Sequence, residues 1–124
     1  EFEMPGFDVV GFEYRAKKKE DIKKVKNALN ILSNYKNMIF PSASAECVQQ
    51  DSMAKVINEG SHSEFKAEYI LKCKNIDKIR DIQINYFSSF NFSKKLNINI
   101  ITENKKQSQM TDKSNNKLDM DGYF

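Results

Sequence analysis

Apolar and polar residues alternate most cleanly between Phe65 and Cys73. Phe65, Ala67, Tyr69, Leu71 and Cys73 point one way, and Lys66, Glu68, Ile70, Lys72 and Lys74 the other. Period two over such a run predicts a strand with one buried face. Lys19 to Tyr35 has a different period. Ile22, Val25, Leu29 and Leu32 fall at i, i+3, i+7 and i+10, with Ala28 beside the stripe and Tyr35 extending it. That spacing predicts an amphipathic helix. Glu20 and Asp21 stand in its first turn, where the helix dipole favours acids.

The remaining segments read as strands and turns. Phe2 to Tyr14 reads as extended, interrupted at Pro5-Gly6 and at Gly11. Met38-Ile39-Phe40 is a short apolar run stopped by Pro41, and Ala45 to Val48 reads as a strand. Gln49 to Ser63 has weak periodicity and reads as a hairpin connection, with Gly60 at a turn. A short second helix is expected near residues 76–80, after Asn75. A strand follows over Ile82–Tyr86, then an aromatic loop holding Phe87, Phe90 and Phe92. Leu96, Ile98 and Ile100 mark another strand, with a turn at Glu103-Asn104-Lys105. Gln107 to Asn116 reads as a weak return strand, and Leu118 and Met120 as a last edge contact. The sum is a single α+β domain over residues 1–124: a mostly antiparallel sheet with one long helix, about residues 19–35, packed on it.

Length and charge narrow the function. The 124 residues suffice for one domain, and 40% hydrophobic residues suffice for its core. No apolar run approaches the roughly 20 residues that a spanning helix needs. The chain opens on Glu1-Phe2-Glu3 with no basic-then-apolar leader, so an exported protein would already have lost its signal peptide. Net charge is +3 but uneven: Arg15 to Lys36 holds eight Lys/Arg against Glu20 and Asp21, a local +6. A solvated helix face is the plain reading, and an acidic partner surface the sharper one. A charge this mild does not call for nucleic acid.

The candidate chemistry is sparse. There is no GxSxG, P-loop, GxGxxG or HExxH motif. A small hydrolase built on an unrecognised carboxylate pair is the remote alternative, and the chain reads as non-enzymatic. Cys47 and Cys73 both fall on predicted strands, so a bridge forms if the strands pair with the cysteines opposed; two buried thiols are the alternative. Neither has a CxxC partner, which excludes a four-cysteine zinc site. His62, the one histidine, stands in Gly60-Ser61-His62-Ser63-Glu64. It is either an exposed loop residue or a metal ligand.

Several segments together resemble the ZrgA-like family of bacterial periplasmic zinc-binding proteins. Met4 to Tyr14 is similar to that family's SPA-x-x-x-x-GFEH segment. The Lys/Glu-rich helix of Lys17–Asn34 and the strand of Cys47 follow in the family's order. So does the His-x-x-Phe-x-x-x-Tyr-x-x-x-Cys strand, here His62, Phe65, Tyr69 and Cys73. Ile82 to Ile101 looks like the closing strands. The resemblance implies a periplasmic protein that captures zinc or delivers it to a component of an ABC-type importer, with zinc as its metal. It implies a histidine ligand in the variable loop, here His62, and a disulfide between Cys47 and Cys73; beside that imidazole the chain itself offers carboxylates such as Glu64 and Asp8. The chain departs from the pattern at three places. The family's N-terminal His-x-His-Gly strand lies before Glu1, Tyr14 stands where GFEH has its histidine, and the variable loop keeps only His62. An envelope interaction module that keeps the scaffold without the metal site is the alternative.

Overall fold

The computed structural model describes all 124 residues. It is α+β, as the periodicity predicts, and its strands form two antiparallel sheets. The strands are β1 (Phe2–Pro5), β2 (Ile39–Pro41), β3 (Cys47–Glu59), β4 (His62–Cys73), β5 (Asp81–Ile84), β6 (Lys95–Ile101), β7 (Lys106–Asp112) and β8 (Lys117–Asp119). The helices are α1 (Gly6–Val10), α2 (Lys19–Leu32) and α3 (Tyr86–Ser89). The larger sheet runs β3-β4-β1-β6-β7 and the smaller β2-β5-β8.

β1 lies at the centre of the larger sheet and joins two hairpins. Phe2 pairs with Ala67 of β4 on one side and with Ile98 of β6 on the other, and Met4 pairs with Phe65. Phe2, Met4, Phe65, Ala67, Leu96 and Ile98 are all buried in one continuous core. Phe2 meets Tyr69 edge-on at 5.5 Å between ring centroids. The Tyr69 hydroxyl donates to the carbonyl of Leu32, the last residue of α2. Sheet and helix therefore meet through both an apolar contact and a polar one.

Several segments differ from their sequence reading, each for a physical reason. Residues 6–10 form a helical turn rather than an extended strand. Pro5, at φ −60°, leads into it, and Gly11 ends it in the left-handed region at φ 87°, its N–H donating to the Phe7 carbonyl. Gly6 is required at the start: a Cβ there would lie 2.2 Å from Ser63 Oγ and 2.9 Å from the Phe12 carbonyl oxygen. The turn buries Val9 and Val10 together, which a strand would have put on opposite faces.

Gln49 to Glu59 is strand, not connection; only Gly60 and Ser61 link β3 to β4. Gly60 has φ 59° and Ser61 does not share its positive φ, as in a two-residue type II′ hairpin. β3 hid its period for two reasons. A register shift between Gln49 and Asp51 breaks the alternation, and the inner positions paired to Tyr69, Ala67 and Phe65 are the modest Ser52, Ala54 and Val56.

On α2 the inward line is Asp21, Val25, Ala28 and Leu32, at i, i+4, i+7 and i+11, while Ile22 is exposed. The helix ends at Leu32, and Tyr35–Asn37 forms a separate 3-10 turn capped by the Asn34 side chain. Ala43–Ala45 is also a 3-10 turn, so β3 starts at Cys47. The expected second helix is a 3-10 turn over Ile76–Lys78. Asn75 precedes it without capping it; its side chain donates to Ser44 O and Glu46 Oε2 instead. β5 stops at Ile84, and Tyr86 opens α3 rather than closing a strand. Tyr86, Phe87 and Phe90 are buried against one another, with centroids 5.2 and 5.1 Å apart, whereas Phe92 stands in solvent.

Cys47 and Cys73 are opposed in the β3–β4 register and are joined as a disulfide. Closing a loop of 26 positions contributes roughly 3–4 kcal/mol in the chain-entropy account. Two outcomes test this fold in urea unfolding. The double variant Cys47→Ala/Cys73→Ala should lose about 3 kcal/mol. Phe65→Ala, emptying a fully buried site between β1 and β3, should lose about 3–5 kcal/mol with no change in far-ultraviolet circular dichroism.

Candidate metal centre

The β3–β4 turn delivers His62 to the first position of β4, opposite Glu59. The next residue, Ser63, packs on Gly6, which fixes α1 against this end of the hairpin. The segment leaving α1 then passes the turn. Phe12 and Tyr14 stack on each other, with centroids 4.5 Å apart and planes at 18°, and Glu13 between them reaches His62. His62 Nδ1 lies 2.8 Å from Glu13 Oε2.

This pairing has a chemical consequence. With a carboxylate accepting at Nδ1, the neutral ring carries its proton there and presents the Nε2 lone pair. A carboxylate behind a histidine in this way orients the ring and raises its basicity toward a metal. The His62 side chain is 76% exposed, so an arriving ion reaches Nε2 freely.

Tyr14 makes the second pair. Its hydroxyl donates to Asp21 Oδ2 at 2.8 Å. That bond, with some burial and the carboxylate charge, raises the Tyr14 phenol above its usual 10.0, so it stays protonated. Asp21 is only 8% exposed and sits in the first turn of α2, where the helix N-terminus favours its charge. Tyr14, Asp21 and the Gly60-Ser61 turn line one depression of about 390 Å³ with Arg15, Lys17 and Lys18. No hydrogen bond joins the Glu13–His62 pair to the Tyr14–Asp21 pair.

Glu64 shares a strand face with His62 but turns to other neighbours. It sits between Pro5 of β1 and Ile57 of β3. Burial first, then the Glu3 carboxylate, raise its pKa above the usual 4.5. Asp8, on α1, accepts from Ser93 Oγ at 3.2 Å. Both cysteines are spent in the disulfide. Nowhere do three or more His, Cys, Asp or Glu side chains gather around a common point. A single chain thus offers zinc one well-oriented nitrogen, where a closed site uses four ligands. Glu13 and Asp21 escaped the sequence reading. Glu13 lies 49 positions from His62, and Asp21 reads as an ordinary first-turn acid.

Against known families, the model of the ZrgA family zinc uptake proteins matches residues 1–120. The chain belongs to this family. No curated protein matches it. Membership associates the protein with zinc uptake, and the disulfide is consistent with an exported ZrgA protein. No helix is long and apolar enough to cross a membrane.

The raised Glu64 carboxyl gives a pH test. A folded pKa above 4.5 means that folding disfavours the charged form, so the penalty exists at neutral pH and disappears as pH falls below 4.5. Glu64→Gln should therefore raise the thermal midpoint at pH 7 and leave it unchanged at pH 3. Equal effects at both values would assign the change to packing instead.

Proposed function

We propose that this ZrgA-family protein is a non-enzymatic accessory of zinc uptake. It binds zinc as cargo in the periplasm and passes it to a component of an ABC-type importer. Family membership over residues 1–120 supports the association with zinc. The observation that carries the binding role is the Glu13–His62 pair, which leaves an exposed Nε2 ready to ligate. The hydroxyl of Tyr14, at the position that matches the family's GFEH histidine, is a poor ligand while it stays protonated and bonded to Asp21. One imidazole completed by water or by a partner's side chain makes an open contact, and an open contact suits an ion that must leave again.

The alternative is an envelope interaction module that keeps the scaffold and not the metal. It draws support from the absence of any three-donor group. Calorimetric zinc titration of the oxidised protein separates the two. On the zinc reading, binding is micromolar or tighter and His62→Ala abolishes it. Glu13→Gln, which keeps the ring but weakens its support, should cost about tenfold in affinity. Tyr14→His, adding an imidazole beside Asp21, should tighten it. Absence of binding by the unaltered chain would overturn the zinc reading and leave the interaction module, and binding that ignores His62→Ala would overturn His62 as the ligand.

A further inference from the structure

A second depression adjoins the first and shares Tyr14 and Asp21 with it. Its volume is about 650 Å³, within the range of about 300–1,000 Å³ typical of ligand sites. Val9, Val10, Phe12, Tyr14 and Phe92 form its apolar lining. Three large aromatics around it face solvent: Phe7 at 51%, Tyr14 at 52% and Phe92 at 60% exposure. Phe7 and Phe92 lie 6.1 Å apart between centroids, so they form one patch. Exposed aromatics gathered around a hollow mark an interaction site more than scattered ones do.

The charge beside the hollow indicates its occupant. Arg15, Lys17 and Lys18 line the adjoining depression, and Lys24 lines the cleft itself. None of the four has a carboxylate within ion-pair distance; the ion pairs of the molecule are His62–Glu13 and Lys66–Glu3. Asp21, the acid on the cleft wall, is held by the Tyr14 hydroxyl. The rim thus presents four unpaired cations next to an empty aromatic slot.

We propose that this surface docks an acidic segment of a partner protein. An apolar or aromatic side chain of that segment enters the Phe12–Tyr14–Phe92 cleft, and its carboxylates lie on Arg15, Lys17 and Lys18. Aromatic anchors in such slots supply most of the affinity, and the surrounding charges supply orientation and association rate. A concave slot floored by Val9 and Val10 favours an inserted side chain over a flat lipid surface. The inference does not depend on zinc, because its residues leave His62 and Glu13 untouched.

The test is a ¹⁵N–¹H correlation titration of the oxidised chain with a synthetic glutamate-rich peptide carrying one central phenylalanine. Amide shifts should cluster at Val9–Tyr14 and around Phe92. Replacing the peptide phenylalanine with alanine, or Phe92→Ala in the protein, should weaken binding at least about tenfold. The double reversal Lys17→Glu/Lys18→Glu should abolish it. All these side chains are exposed, so the variants should keep the parent circular dichroism. Shifts that are absent, that fall elsewhere or that ignore both alanine changes overturn the proposal. Binding to phosphatidylglycerol vesicles without binding to the peptide would overturn it in favour of a membrane surface, and concentration-dependent self-association through Phe92 in favour of a second copy.

Discussion

Everything in the larger sheet hangs on four residues, Phe2–Pro5. β1 is the only strand between the hairpins β3–β4 and β6–β7, and each hairpin alone would be a marginal two-stranded unit. Phe2 and Met4 bury their side chains while the backbone hydrogen-bonds to β4, and Phe2 also pairs with β6. A one-residue slip would turn Phe2 and Met4 to solvent and Glu3 into the core, so the register is strongly specified. The end of β1 then sets the next step. Pro5 and Gly6 turn the chain into α1 against Ser63, and the segment that follows crosses the hairpin tip.

The candidate site is a by-product of that crossing. The β3–β4 hairpin is fixed at one end by the Cys47–Cys73 bridge and closed at the other by the Gly60-Ser61 turn. His62 stands at the closed end, on the strand that β1 pairs with, so sheet register fixes its place, while Glu13 reaches it from the irregular segment between α1 and α2. Ligands carried on rigid elements are held more precisely than those on loops. The same crossing aligns Phe12 with Tyr14 and brings Tyr14 to Asp21. One short segment therefore serves two surfaces. Glu13 supports the histidine, while Phe12 and Tyr14 form a wall of the aromatic cleft.

This arrangement bears on how a zinc uptake protein of the ZrgA family is built here. A resident structural zinc is held by a closed shell, with the site committed to the metal. Here one oriented imidazole stands in the open and the two cysteines serve the scaffold. The fold is thus carried by the core and the bridge, and the exposed imidazole at the hairpin tip lies outside both.

The sequence by itself determined the strongly periodic elements α2, β4 and β6 and the turn at Gly60; it left open whether the cysteines oppose each other, which the β3–β4 register decided. It also carried the ordered segments by which the chain resembles its family. In the strands the neighbours along the chain state which face is buried, and in α2 they state that one face is, because periods of two and 3.6 are local properties. Tertiary structure alone decided the rest. It made residues 6–10 a helical turn, because Gly6 packs on Ser63. It completed β3, whose inner residues Ser52, Ala54 and Val56 bury only against their partners on β4. It turned Asp21 inward in place of Ile22, because the Tyr14 hydroxyl waits there. And it joined Glu13 to His62 across 49 positions. Such pairs depend on strand register and helix docking, which no window of local sequence contains.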